Sequence, residues 1–259
     1  MLKIKNKWAI LLACMVGANL VNIPRVWAGS NFQLTPNSVE LRPSGRGIMR
    51  NFYVTSTGTE PVAVQVRMMK WGVALDGTET QNEEEEDFLV YPPQMIINPG
   101  QRQVVRVTWL GDPEPDHELI YKAVFEQLPI NLRQVENPNP TGIVVNLNVT
   151  VTYIPLIYVT PDGASANIVV DSITRQTGAD GKEQLAVTFE NQGNRRGLFN
   201  NLSLAISSPT NPENSITVAG TDIKDDKGAF VLAGSKRQFI LPLPDGVPAG
   251  DLVATLEAN

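Results

Sequence analysis

Between Asn31 and Glu257 the apolar residues come in short alternating runs, each soon closed by Gly, Pro, Asn or Asp. Helical spacing, with apolar residues returning every three or four positions, is nearly absent. Alternation puts successive side chains on opposite faces, so such runs form half-buried strands. The first half predicts strands near Asn31–Leu34 with Val39–Leu41, Ile48–Thr55, Val62–Lys70, Met95–Ile97, Arg102–Trp109, Leu119–Leu128 and Ile143–Tyr153. The breaks are explicit at Pro43-Ser44-Gly45, Gly58–Pro61, Asp76-Gly77, Pro99-Gly100 and Asn137–Pro140. A second set follows Pro161-Asp162-Gly163: Ala166–Thr174, Gln184–Glu190, Asn201–Ser207, Ser215–Ala219, Gly228–Ala233, Lys236–Leu243 and Leu252–Glu257. About seven short strands per half is the pattern of an immunoglobulin-like sandwich made twice. The expected fold is therefore all-β, with two sandwich domains and a hinge near Ile157–Gly163.

Residues 1–28 stand apart. They hold Lys3, Lys5, Lys7 and Arg25 but no acid, an apolar stretch from Trp8 to Leu20, and the small-residue exit Val26-Trp27-Ala28. That layout predicts a secretory signal peptide cleaved before Gly29. Its uncharged run is too short and too polar for a comfortable membrane span, so stable membrane insertion is not expected. The expected division is residues 1–28 as signal, 29–156 as the first sandwich and 157–259 as the second.

Charge and inventory then exclude several functions. The formal net charge is −6, and four of the 21 basic residues fall in the leader, so the chain after Ala28 stands at −10. Nucleic acid is not an expected partner, because phosphate binding needs clustered Lys and Arg. Cys14 is the only cysteine and leaves with the leader, and His117 is the only histidine. No disulfide, no Cys/His zinc site, no other metal site and no cofactor are expected. The acidic run Glu83–Asp87 reads as a solvated loop between strands. It lacks the Gly or Asn that a calcium loop needs to turn its oxygens inward. No carboxylate pair stands out as a glycosidase site, and no Gly-rich loop offers to bind phosphate, so an enzyme is not expected.

The segment Gly142–Tyr153 carries most of the functional signal. Val145, Leu147, Val149 and Val151 alternate strictly with Asn146, Asn148, Thr150 and Thr152. All four aliphatics share one face of a strand. That face either packs in the chain's own core or is offered to a partner by pairing of the strand edge. The alternation alone does not separate the two.

Other segments bear on the choice. Tyr91–Val107 holds a Pro-Pro pair, then Pro99-Gly100, then Val105-Arg106, at spacings that closely resemble the periplasmic pilus-assembly chaperones. Glu118–Pro129 resembles that family's signature strand, which runs from a Glu through an aromatic-rich stretch to Leu-Pro. Glu190–Leu198 and Leu232–Arg237 resemble its second-domain motifs, closest to the branch often called archaic. The resemblance implies a periplasmic chaperone of two immunoglobulin-like domains, set at an angle with a cleft between them. It also implies donor-strand complementation: Val145, Leu147, Val149 and Val151 would fill the groove of a pilin subunit that lacks its last strand. Pilin or fimbrial subunits and an outer-membrane usher are the implied partners. A secreted two-domain adhesin or pilus structural subunit is the alternative.

Two departures from the family pattern are visible. The resemblance implies a basic residue early in the first strand and another on the seventh, together gripping the subunit's terminal carboxylate. Leu34–Ser38 and Ile143–Thr160 contain none. Lys122 is the first substitute, since Leu119, Tyr121, Ala123 and Phe125 take the opposite, core face of their strand; Arg102 and Arg106 are second candidates. The resemblance also implies a bridge from Glu118 to an arginine just before a proline, but Thr160 precedes Pro161, which leaves that bridge in doubt.

Overall fold

The structure is a computed structural model describing residues 30–130 and 149–258. The expected signal segment, residues 1–28, and the expected donor residues Val145 and Leu147 lie outside the described residues. In the first domain the strands are β1 (Phe32–Thr35), β2 (Ser38–Leu41), β3 (Met49–Ser56), β4 (Val62–Val73), β5 (Glu79–Glu83), β6 (Phe88–Tyr91), β7 (Gln94–Ile97), β8 (Arg102–Trp109), β9 (Leu119–Gln127), β10 (Thr152–Tyr153) and β11 (Leu156–Val159). One sheet has the order β1-β3-β8-β6, the other β2-β11-β9-β4-β5, with β7 added to β4 and β10 to β9. The chain thus enters in one sheet as β1 and crosses to the other as β2, which runs parallel to β11.

Alternation fills the space between the sheets. Phe52 and Val54 of β3, Val105 and Val107 of β8, and Tyr121, Ala123 and Phe125 of β9 are all fully buried. Phe52 meets Phe125 at 5.3 Å between ring centroids, while Tyr121, Phe88 and Trp109 pack mutually at 4.8–5.6 Å. Each such side chain contributes about 1.5–3 kcal/mol of transfer free energy. The Tyr121 hydroxyl donates to Asp87 Oδ2 at 2.7 Å, so a polar atom at the core's edge has its partner. Burial, reinforced by that carboxylate, raises the phenol's pKa far above its usual value.

Two expectations change here. Ile157 and Val159 are fully buried in the first core, so the first domain extends past the expected boundary at residue 156 and the hinge shortens. The acidic run is also more than a solvated loop. Glu83 closes β5 and pairs with Arg67 at 3.3 Å, and Asp87 is the tyrosine's acceptor.

The second domain comprises β12 (Ile168–Thr177), β13 (Glu183–Asn191), β14 (Gly197–Leu198), β15 (Leu202–Ser208), β16 (Asn211–Ala219), β17 (Phe230–Val231), β18 (Lys236–Pro242) and β19 (Val253–Ala258). They form sheets β12-β13-β18, β14-β17 and β16-β15-β19. Phe189, Phe199 and Phe239 pack at 4.7–5.9 Å in their shared core. Arg237 is also buried there; its Nη2 donates to both carboxylate oxygens of Asp225 at 2.7 Å, and its guanidinium lies 4.4 Å and 4.8 Å from the ring centroids of Phe230 and Phe239. Among the described residues there is no α-helix, and no helix long and apolar enough to cross a membrane.

Candidate functional site: the inter-domain cleft and an open sheet edge

One side of the cleft is built by a loop of the second domain. Asn191 is fully buried, and its amide is fully used. Nδ2 donates to the carbonyls of Arg195 (2.7 Å) and Val231 (3.1 Å), and Oδ1 accepts from the N–H groups of Asn167 (3.0 Å) and Gly193 (3.1 Å). An amide offers two donors and two acceptor lone pairs, so the loop 191–197 is pinned from within. Gly193 passes so close to the neighbouring backbone that a Cβ there would lie 2.3 Å from the carbonyl oxygen of Ser165.

The pinned loop delivers Arg195 and Arg196 to the first domain. Arg196 Nη1 donates to Glu118 Oε2 at 2.5 Å, and its backbone N–H to Oε1 at 3.1 Å. Thr160 Oγ1 donates to Oε2 at 2.8 Å, and Arg195 Nε stands 3.8 Å from it. The Glu118 carboxylate is fully enclosed. Arg196 also lies over the Tyr158 ring, 3.6 Å from its centroid, and Arg195 Nη2 reaches Glu40 at 2.9 Å. The inter-domain bridge that Thr160 left in doubt is therefore present in another form: the arginine comes from the second domain, and Thr160 joins through its hydroxyl. Two adjacent arginines before Gly197 in an acidic chain were the available signal.

The other side is the β4–β5 hairpin. Its turn reaches the second domain, where the Leu75 carbonyl accepts from the Gln238 N–H at 2.7 Å. Trp71 of β4 packs on Phe230 at 5.7 Å. Between these contacts lies a cavity of about 230 Å³ lined by Trp71, Ile120, Leu156, Tyr158, Phe230 and Leu232, with Arg196 and Lys227 at its margin.

Lys122 lies on the cleft-facing side of β9, opposite buried Tyr121 and Ala123, as the alternation predicts. It is not a free cation. Its Nζ is 2.5 Å from Glu79 Oε2 and 4.8 Å from the centre of the Trp71 ring. Trp71 Nε1 (3.0 Å) and Gln81 Nε2 (3.2 Å) donate to the same oxygen. The hydrogen bond from Lys122, and then that from Trp71, hold the Glu79 pKa below its ordinary value despite partial burial. Glu79 is not among the residues the sequence singles out, and no strand is expected over Glu79–Glu83, which the structure shows as β5.

Arg102 and Arg106 lie elsewhere. Both are exposed on β8, in the other sheet, facing away from buried Val105 and Val107. Arg102 donates to Thr55 Oγ1 at 3.3 Å and lies over Tyr53. The structure does not bring either arginine together with Lys122, so neither is retained as an anchor. Among the described residues no group of His, Cys, Asp and Glu could hold a metal ion.

The last feature is an edge. β10 pairs with β9 on one side and, among the described residues, with nothing on the other, whereas β11 is covered by β2. Gln127 is buried and fastens the start of this strand. Its backbone N–H donates to the Val151 carbonyl (3.0 Å), its side-chain Oε1 accepts from the Val151 N–H (3.3 Å), and Nε2 reaches Ser30 Oγ (2.6 Å). Val151 packs against the domain's own core, so it is only partly available to a partner. Val149 is 63 % exposed.

Two immunoglobulin-like domains joined by a charged bridge around an apolar cleft, one with an open edge, define a class of two-domain sandwich proteins. The family model for the N-terminal domain of the pili and flagellar-assembly chaperones, PapD type, matches residues 34–162. The chain belongs to the pilus-assembly chaperones of the chaperone–usher pathway, and this displaces the adhesin alternative.

Solved structures share the fold. A chain of the chaperone–tip adhesin complex of CFA/I fimbriae matches with a TM-score of 0.55 at 16% identity, covering 88% of this chain and 98% of that one. The class 5 fimbriae chaperone CfaA matches with 0.53 at 18% identity, covering 88% and 100%. A chain of the CsuC–CsuE chaperone–tip adhesion subunit complex, from the archaic Csu pili of Acinetobacter baumannii, matches with 0.51 at 17% identity, covering 86% and 91%. No curated protein sequence matches the chain.

Proposed function

We propose that this chain is a periplasmic chaperone that holds pilin subunits by donor-strand complementation and passes them to an outer-membrane usher. The carrying observation is the edge at Thr152–Tyr153, which has no second strand partner among the described residues and lies three positions after exposed Val149. An incomplete subunit presents an apolar groove and unpaired strand edges, an aggregation hazard. A strand that offers backbone groups on one side and Val145, Leu147 and Val149 on one face satisfies both needs. Lys122, at the cleft end of the same sheet, is the proposed anchor for the subunit's terminal carboxylate, with the cavity beside Trp71 taking the adjoining apolar side chain. The family is one of chaperones, a non-enzymatic class.

The test is co-expression with pilins encoded beside this chain's gene. Val149→Asp and Leu147→Asp are expected to lose the co-purifying pilin while keeping the wild-type unfolding transition, because an exposed Val149 carries little folding energy. Pilin recovered undiminished with both variants would overturn the reading.

A further inference from the structure

The Lys122 ammonium already has a carboxylate. Glu79 comes from β5 and Lys122 from β9, with β4 between them, so the pair spans a strand and meets over the indole of Trp71. Three donors from Lys122, Trp71 and Gln81 converge on the single oxygen Oε2. The pair is largely enclosed, with side chains 13% and 25% exposed, and Trp71 is also a wall of the apolar cavity. A carboxylate arriving at Lys122 through the cleft therefore meets an ammonium whose charge is already paired with Glu79.

We infer that Glu79 is an intramolecular stand-in for the terminal carboxylate of a bound subunit, an affinity-setting residue that the chain end must displace. The inference rests on the proposed reading of Lys122 as the anchor. Its chemistry is an exchange of one carboxylate for another at the same ammonium and indole N–H. Charge-assisted bonds broken and made nearly cancel, so the terminal carboxylate fixes the position of the chain end while adding little net affinity. Glu79 also sits on the hairpin that clasps the second domain through Leu75 and Trp71. Displacement thus acts on the segment that closes the cleft.

The test uses the chain after Ala28 and two synthetic peptides of alternating Val and Thr ending in Phe, one with a free α-carboxylate and one amidated. Binding is read by fluorescence anisotropy of a label at the peptide N-terminus. Glu79→Gln keeps an oxygen to accept from Trp71 but removes the competing charge. It is expected to bind the acid peptide about ten-fold more tightly than wild type, with the amide unchanged. Adding Lys122→Met to Glu79→Gln should abolish the gain, and Glu79→Asp should restore wild-type selectivity. Equal gains for acid and amide would mean mere loosening of the hairpin, and no gain would mean that Glu79 does not compete; either overturns the inference. Absence of binding to both proteins overturns it too, while the pilin co-purification still decides the proposed function separately.

Discussion

Replacing Arg196 by Met tests whether the cleft depends on the Glu118 bridge. The substitution removes the cation at 2.5 Å from a carboxylate with no solvent exposure. Breaking a buried pair from one side costs about 3–5 kcal/mol, because the remaining charge is left uncompensated. Three features pull the value toward the lower end. Thr160 and the backbone N–H of residue 196 still donate, Arg195 stands 3.8 Å away, and Arg196 itself is 20% exposed. Loss of the stacking on Tyr158 adds about 0.5–1 kcal/mol. The expected total is about 3 kcal/mol. The bridge crosses the domain boundary, so the loss should also split one cooperative urea transition into two. Trp71 and Trp109, the only tryptophans after Ala28, report it by fluorescence. In a Glu118→Gln background no stranded charge remains, and Arg196→Met should cost about 1 kcal/mol or less. Arg195→Ala is the control: its Glu40 partner is a third exposed, so about 0–1 kcal/mol is expected. Arg196→Met within 0.5 kcal/mol of wild type, or additivity with Glu118→Gln, would refute the coupling.

Two further outcomes follow from the same geometry. Gly193→Ala places a Cβ 2.3 Å from the Ser165 carbonyl oxygen; the loop must shift, costing about 1–3 kcal/mol. The same urea titration and the domain arrangement in small-angle scattering should both change, since that loop carries Arg195 and Arg196. The second concerns pH. Glu79 has its pKa lowered from an ordinary 4.5, so its ionised form stabilises the fold fully above that value. The contribution fades as pH falls through the lowered folded-state pKa. The stability gap between wild type and Glu79→Gln should therefore be flat near neutrality and close only below about pH 4.5; closure already near pH 6 in urea titrations would contradict the assignment.

Which parts of this were legible beforehand follows from what alternation can encode. Arg102–Trp109 matches β8 to the residue and Leu119–Leu128 matches β9 to within one, because buried positions alternate with exposed ones over much of β8 and with half-buried ones over most of β9. Glu79–Glu83 carries no such pattern: all but Glu79 are exposed, and its pairing is set by the neighbouring strand β4. Ile157–Val159 falls in the hinge expected near Ile157–Gly163, yet the strand Leu156–Val159 has both its partners distant in sequence, β2 and β9. The cleft was harder still. Lys122 was placed on the correct face, but no periodicity links it to Glu79 across an intervening strand, and none links Glu118 to an arginine 78 positions later.

The division of labour between edge and cleft can be argued from magnitudes. Val145, Leu147 and Val149 would each contribute about 1.5–3 kcal/mol of transfer free energy in a subunit groove. Docking costs at least several kcal/mol in lost freedom, so the apolar strand alone yields only a modest net hold. A free lysine in a half-enclosed cleft would add a charge-assisted grip and slow release. On the proposed reading, Lys122 engaged by Glu79 would add little of that grip; it would set where the chain end stops, and hence the register in which alternate aliphatics meet the groove. A slip of one residue would turn every donor side chain to the wrong face. In this arrangement the edge supplies most of the binding energy and the cleft supplies the register. Glu79 would then keep the second function from becoming the first, which suits a chaperone proposed to give its cargo up.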